Sequence, residues 1–201
     1  MKNKILLLTV LAFVLLIIAA TVIVKPKFEN PRVVFQEAPL EKNTRLKIID
    51  GDYYSYQYNT NGTLVNITYA AIQGNNCTIV LIAESVNKTS ICIDEWGMDE
   101  TGSNSTFSEP AFILFKPWML AVHENWTWNN SMYIYYDDIP QYITENRYRV
   151  VRTDEFNERE AFVVEISTDG QVAEYDWIDK ERRILLKVEG TGYSVELVDY
   201  N

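Results

Sequence analysis

An apolar run near the N-terminus places the strongest constraint on what this chain can become. Of the 20 residues from Ile5 to Val24, 18 are apolar. A helix rises about 1.5 Å per residue, so this run spans about 30 Å, the thickness of a bilayer's hydrocarbon core. We therefore predict an N-terminal signal anchor, a transmembrane helix, over residues 1–24. A signal peptide cleaved after Ala20 is the competing interpretation, because small residues are typical of such sites.

The charge of the rest of the chain bears on its partners. The chain has 18 Lys and Arg against 28 Asp and Glu, a net charge of −10. Residues 1–24 contain Lys2 and Lys4 but no acid, so the other 177 residues carry a net charge of −12. A surface of this sign repels phosphate backbones, and we expect no nucleic-acid partner. The length suits one ordinary domain.

Sequons for N-glycosylation suggest on which side of the membrane that domain lies. Chance would give roughly two Asn-x-Ser/Thr sequons in this composition. Seven are present, at Asn61, Asn66, Asn76, Asn87, Asn104, Asn125 and Asn129. We predict a single-pass protein of the cell membrane whose glycosylated C-terminal domain lies outside the cytoplasm. An accidental match in turns rich in Asn and Thr is the alternative.

Cys77 and Cys92 are the only cysteines of the chain. An exterior domain favours their oxidation, and we expect one disulfide between them. The runs Cys77–Ala83 and Ser90–Ile93 read as two strands of a hairpin, so the bridge would staple neighbouring strands. Their spacing lacks the C-x-x-C pattern of redox pairs.

The domain organisation follows from proline content and from hydrophobic alternation. Residues 25–44 contain half of the chain's prolines and are predicted to form a stalk or linker. Residues 45–201 are predicted to form an exterior domain rich in β-structure. Tyr54, Tyr56 and Tyr58 alternate with polar residues, which places the three aromatic rings on one face of a strand.

The last fifty-five residues give the clearest strand pattern. Five runs are separated by turn residues: Arg147–Arg152, Ala161–Ser167, Gln171–Ile178, Arg183–Glu189 and Tyr193–Val198. They predict an antiparallel meander with one buried face. We therefore expect a mainly β fold, an antiparallel sheet or incomplete barrel. A short helical segment is expected near residues 112–124, starting at Pro117.

Catalytic and metal-binding motifs are not found. His123 is the only histidine and begins no H-E-x-x-H motif, and no G-x-S-x-G elbow accompanies it. One histidine and two cysteines do not suffice for the usual zinc or iron–sulfur sites. We predict no enzyme activity, no catalytic or metal site and no cofactor. An envelope hydrolase that uses two carboxylates is a less favoured alternative.

One apolar segment allows two interpretations. Its members either fill the β core or line a concave apolar surface able to hold a lipid chain or a sugar face. The candidate residues are Phe112, Phe115, Trp118, Met119, Trp126 and Trp128.

A resemblance to a known family arises near the C-terminus. Trp177-Ile178-Asp179-Lys180 followed by Leu185-Leu186-Lys187-Val188 is similar to a strand, a turn and a second strand of the LolA/LppX-like lipoprotein-carrier superfamily. The resemblance covers residues 173–197. It implies an incomplete antiparallel barrel wrapped around short helices, with an apolar cavity that receives acyl chains.

These observations combine into one functional hypothesis. We expect a membrane-anchored, extracytoplasmic glycoprotein domain that binds an apolar or amphipathic ligand, such as a lipid, or an envelope protein. The alternative is a purely structural or interaction module of the cell envelope, in which the aromatic residues are all core.

Overall fold

The computed structural model describes residues 32–37, 39–74, 76–84, 87–97, 113–136 and 139–201, with the backbone alone for 32–37, 87, 136 and 140–142. Its strands are β1 (Arg32–Glu37), β2 (Tyr53–Thr60), β3 (Thr63–Gln73), β4 (Thr78–Glu84), β5 (Asn87–Ile93), β6 (Thr127–Tyr136), β7 (Ile139–Phe156), β8 (Arg159–Thr168), β9 (Gln171–Asp179), β10 (Leu185–Gly190) and β11 (Tyr193–Tyr200). A five-residue 3-10 helix, Pro117–Ala121, lies between β5 and β6.

All the strands belong to a single antiparallel sheet, which confirms the predicted mainly β fold. The spatial order of its 11 strands is β1-β6-β7-β8-β9-β10-β11-β2-β3-β4-β5. Strands β7 to β11 follow one another as the predicted meander. Strands β1 and β5 lie at the two ends of this order, so the described sheet is open.

Most of the core lies on one face of this sheet, which we call the inner face, whereas Val163 of β8 and Trp177 of β9 are buried on the other face. Residues directly opposite each other on antiparallel strands project to the same side. Val164, Asp176, Val188, Val195 and Tyr58 follow such a line of register from β8 to β2. The predicted aromatic face of β2 is also inward, with Tyr54 and Tyr56 fully buried.

The segment around the 3-10 helix packs against the inner face at points far apart in the sheet. The backbone amide of Ile113 donates to Tyr69 Oη of β3 at 3.1 Å, and the carbonyl of Leu114 accepts from the amide of Leu185 of β10 at 2.9 Å. Trp118 stacks against Trp126, immediately before β6. The sheet therefore curves over this segment, and irregular register in five of the strand pairs assists the bending.

Residues before position 45 also contribute to the sheet and the core. Residues 32–37, inside the predicted 25–44 stalk, form β1 and pair with β6. Farther along the same stretch, Leu40 packs against the core, and the amide of Asn43 donates to the carbonyl of Leu120 at 3.1 Å. The run Val33-Val34-Phe35 has high β propensity, which accounts for strand pairing here.

The predicted anchor, residues 1–24, lies outside the described residues. Within the part of the chain that the structure describes, we find no helix long and apolar enough to cross a membrane.

Candidate functional site

The described members of the predicted apolar surface are core residues. Their exposed fractions are all 7% or less, and they belong to one hydrophobic cluster with the inner face of the sheet: Phe115, Trp118, Met119, Trp126 and Trp128. Phe112 lies outside the described residues. These five side chains fill space, as the packing interpretation expects.

Aromatic stacking explains how this cluster is ordered. The ring centroids of Trp118 and Trp126 are 5.9 Å apart at an interplanar angle of 12°, and those of Trp126 and Trp128 are 6.5 Å apart at 15°. The ring of Tyr148 of β7 contacts two of these rings, with centroid distances of 5.2 Å to Trp118 and 5.0 Å to Trp128. The row connects the 3-10 segment to β6 and β7.

The predicted disulfide is present between Cys77 and Cys92, with the Cα atoms 5.7 Å apart. Cys77 immediately precedes β4, and Cys92 lies in β5 opposite Ile79. The bridge therefore staples two neighbouring strands at the end of the sheet, as the hairpin pattern indicated.

The sequon asparagines whose side chains are described are all exposed. Three lie in turns or bends, at Asn61, Asn76 and Asn125, and two lie within strands, at Asn66 and Asn129. The side chain of Asn87 and all of Asn104 lie outside the described residues. Exposure is what a glycosylation acceptor needs, and occupancy stays a prediction.

A polar groove crosses the face of the sheet opposite the core, over β6, β7, β8 and β9. We call it the outer-face groove. Its volume is about 610 Å³, and its lining residues are Asn129, Asn130, Ser131, Glu145, Asn146, Arg147, Arg149, Glu165, Ser167, Gly170 and Val172. Nearly all of them are polar, and none belongs to the predicted apolar set.

Strand register creates the groove. Asn129 lies opposite Arg147, Arg147 opposite Ser167, and Ser167 opposite Val172, which gives one row across all four strands. In the next row Arg149 donates to Glu165 Oε1 at 2.8 Å. The groove thus combines guanidinium, carboxylate, amide and hydroxyl groups on a rigid sheet.

A pair of acids on the inner face forms the second unusual feature. Glu174 and Asp176 alternate along β9 and therefore project to the same side. Asp176 is only 6% exposed, and it lies between Val164 of β8 and Val188 of β10. Its Oδ1 atom has no hydrogen-bond partner, which is costly for a buried polar atom.

Burial sets the protonation of this pair. It raises the pKa of Asp176 well above its usual range, the neighbouring Glu174 carboxylate raises that pKa further, and Lys116 opposes both effects. Burial likewise raises the pKa of Glu174, again against Lys116. Tyr193 donates a hydrogen bond to Glu174. The pair is thus biased toward binding protons, and strongly perturbed acids mark candidate functional positions.

Sequence reasoning missed both features. The acids were identifiable in principle, because Glu174 and Asp176 share the strand alternation of buried Ile178. The groove depends on four strands meeting in one register, which single-strand patterns do not supply. No group of three or more His, Cys, Asp and Glu side chains suited to a metal ion occurs among the described residues.

Comparisons with known proteins add little. No family model matches the chain, and no curated protein matches it. Among solved structures, similarity is found to a protein from Bacteroides fragilis NCTC 9343 that is described as exported and as having a YmcC-like fold. The identity is 12%, the TM-score is 0.35, and the match covers 79% of this chain and 99% of that one.

Proposed function

We propose that this chain is a membrane-anchored, extracytoplasmic glycoprotein domain that binds an envelope partner through the outer-face groove and performs no catalysis. Residues 1–24 hold it in the membrane, and the C-terminal domain lies outside the cytoplasm. The apolar run, the acidic remainder and the seven sequons support this placement. The disulfide supports an oxidising compartment.

One observation carries the binding proposal. The described candidate side chains of the apolar segment are packed in the core, whereas the outer-face groove leaves charged and amide groups accessible. Arg147 makes no ion pair within the described structure, although Arg149 beside it is paired with Glu165. An accessible guanidinium in a rigid groove is suited to recognising a hydrogen-bonding partner.

Site-specific photocross-linking in intact cells tests this proposal. Ser167→benzoylphenylalanine places the probe in the groove, and Lys88→benzoylphenylalanine places it on β5, an exposed position away from the groove. We expect an adduct with an envelope component from position 167 and none from position 88. Equal adducts from both positions, or none from either, would contradict a partner site in the groove.

The acid pair on the inner face favours a second candidate function, binding of an amphipathic ligand. Trp128, Tyr148, Ile166 and Glu174 follow one line of register from β6 to β9, which places aromatic rings and a carboxyl group in the same row. An incomplete barrel of the lipoprotein-carrier kind would hold an acyl chain against such a row. Native mass spectrometry of the full chain extracted in mild detergent tests this candidate. A retained lipid that Asp176→Asn releases would support it, and a ligand-free mass would count against it.

A further inference from the structure

We propose that the outer-face groove binds a carbohydrate chain. This inference rests on the proposed function and assigns the partner a chemical class. The groove volume of about 610 Å³ lies within the range of small-ligand sites. It crosses four adjacent strands, a width of about 14 Å at the usual strand spacing, which suits an extended chain better than a single small ion.

The lining chemistry favours hydroxyl-bearing ligands over lipids and ions. Guanidinium, carboxylate and amide groups are planar and offer paired donors or acceptors, which neighbouring hydroxyls of a sugar satisfy together. An acyl chain in the same place would leave those groups unpaired, at a cost in free energy. Arg147 and Arg149 balance Glu145 and Glu165 in charge, so the groove does not select strongly for an ion of either sign.

A sequon inside the groove points to the same chemistry. Asn129-Asn130-Ser131 is one of the seven sequons, and all three residues line the groove. Asn129 lies directly opposite Arg147, a distance of about 5 Å between Cβ atoms in such pairs. A glycan attached to Asn129 would begin beside that guanidinium. Asn66, a sequon on β3 opposite Gln57, lies outside the groove and offers a comparison.

The carbohydrate could come from two sources, the chain's own Asn129 glycan or a polysaccharide of the envelope. Titration of the full chain in detergent, from a host that performs N-glycosylation, separates them. The probes are chitotetraose, mannotetraose and tetragalacturonate, and their binding is measured by calorimetry. Asn129→Gln keeps the amide but removes the acceptor, with Asn66→Gln as its matched control. Arg147→Ala removes the free guanidinium, with Arg45→Ala as its control, because Arg45 is exposed and pairs with Glu95 elsewhere.

Each source predicts its own pattern. If the chain's own glycan fills the groove, the wild type and Asn66→Gln bind no probe and Asn129→Gln binds one. If the ligand is external, the wild type also binds. In either case Arg147→Ala in the Asn129→Gln background weakens binding about tenfold, and Arg45→Ala does not.

Two results would overturn the inference: Asn129→Gln protein that binds none of the three probes, or, in that Asn129→Gln background, Arg147→Ala protein that binds as tightly as Arg45→Ala protein. A cross-link from position 167 to a protein, together with either result, would leave the proposed function standing and remove the carbohydrate assignment.

Discussion

The phenol of Tyr193 donates a hydrogen bond to the carboxylate of Glu174 from two strands away. The residue between them in register is Gly190 of β10. Because glycine has no side chain, the Tyr193 ring occupies the space where a side chain at position 190 would lie, and it reaches the acid on β9. This contact covers Glu174, the half-buried member of the acid pair.

Gly190→Ala should break this contact. A methyl group at position 190 would overlap the Tyr193 ring, so the ring must move away from Glu174. We expect the free energy of unfolding in urea to fall by about 1–3 kcal/mol. Tyr193→Phe is the matched control, since it removes the hydrogen bond and keeps the ring. A Gly190→Ala protein as stable as the wild type would show that the ring does not lie over this glycine.

Gly97→Ala should destabilise the protein more than Gly51→Ala. Both glycines have positive φ, +71° and +86°, so both substitutions strain the backbone. A methyl group at Gly97 would in addition overlap the Phe115 ring, whereas Gly51 has no atom nearby. The excess loss at Gly97, about 1–3 kcal/mol by denaturant unfolding, measures how tightly Phe115 is packed. Equal losses of stability in the two variants would mean that the Phe115 ring moves aside without measurable cost.

Trp118→Ala distinguishes core from ligand surface. Trp118 is 3% exposed and contacts the rings of Trp126 and Tyr148. Removing it should leave a cavity and lower the free energy of unfolding by about 3–5 kcal/mol. Leu64→Ala, at a position 58% exposed, should change it by about 0.5 kcal/mol or less. A loss at Trp118 of under about 1 kcal/mol would instead indicate a ligand surface.

Asp176→Asn should change how stability depends on pH. The folded-state pKa of Asp176 is raised, so between the unfolded pKa, about 3.9, and the folded pKa the native state binds more protons than the unfolded state. The stability that protonated Asp176 contributes to the folded state is therefore fully present below about pH 3.9 and is lost as the pH rises through the folded pKa. Asp176→Asn removes that loss, so its free energy of unfolding relative to that of the wild type should increase from pH 4 to pH 8.

Urea midpoints measured at each pH give the readout for this substitution. The exposed Glu155→Gln is the control and should follow the wild-type profile. An advantage of Asp176→Asn that stays constant across this range would contradict the burial of a proton-binding carboxyl.

Removing the disulfide should destabilise the end of the sheet. Cys77 and Cys92 are 15 residues apart, and closing a loop of that length reduces the entropy of the unfolded chain by about 3 kcal/mol in free energy. The double variant Cys77→Ala/Cys92→Ala should lose about this amount in denaturant unfolding, and reduced wild type should match it. A double variant as stable as the oxidised protein would show that the bridge contributes nothing.

Local alternation predicted most of the meander and the aromatic face of β2. Tyr54 and Tyr56 of β2 are buried and Asn66 of β3 is exposed, because successive side chains of a strand point to opposite faces of the sheet. Leu46–Ile49 has an apolar, strand-like composition but forms no strand. There the amide of Leu46 donates to Glu95 and that of Lys47 to Arg182, so loop contacts take the place of a ladder.

The buried acid and the outer-face groove could not be predicted from local sequence patterns, for a physical reason. Asp176 becomes a buried acid only because β8 and β10 set Val164 and Val188 beside it. Likewise, Arg147 enters a groove only because Asn129 and Ser167 arrive opposite it from other strands. Both depend on the register between separate strands, whereas the sequons depend on residue identity alone.

The central claim is that the β domain stands outside the cell on a membrane anchor. Protease added to intact cells, followed by mass spectrometry of the released peptides, tests it most directly. We predict that peptides from residues 39–201 are released without lysis, that peptides containing Asn61 or Asn125 carry glycan mass, and that residues 1–24 stay in the membrane. Release only after lysis, with unmodified asparagines, would contradict the account.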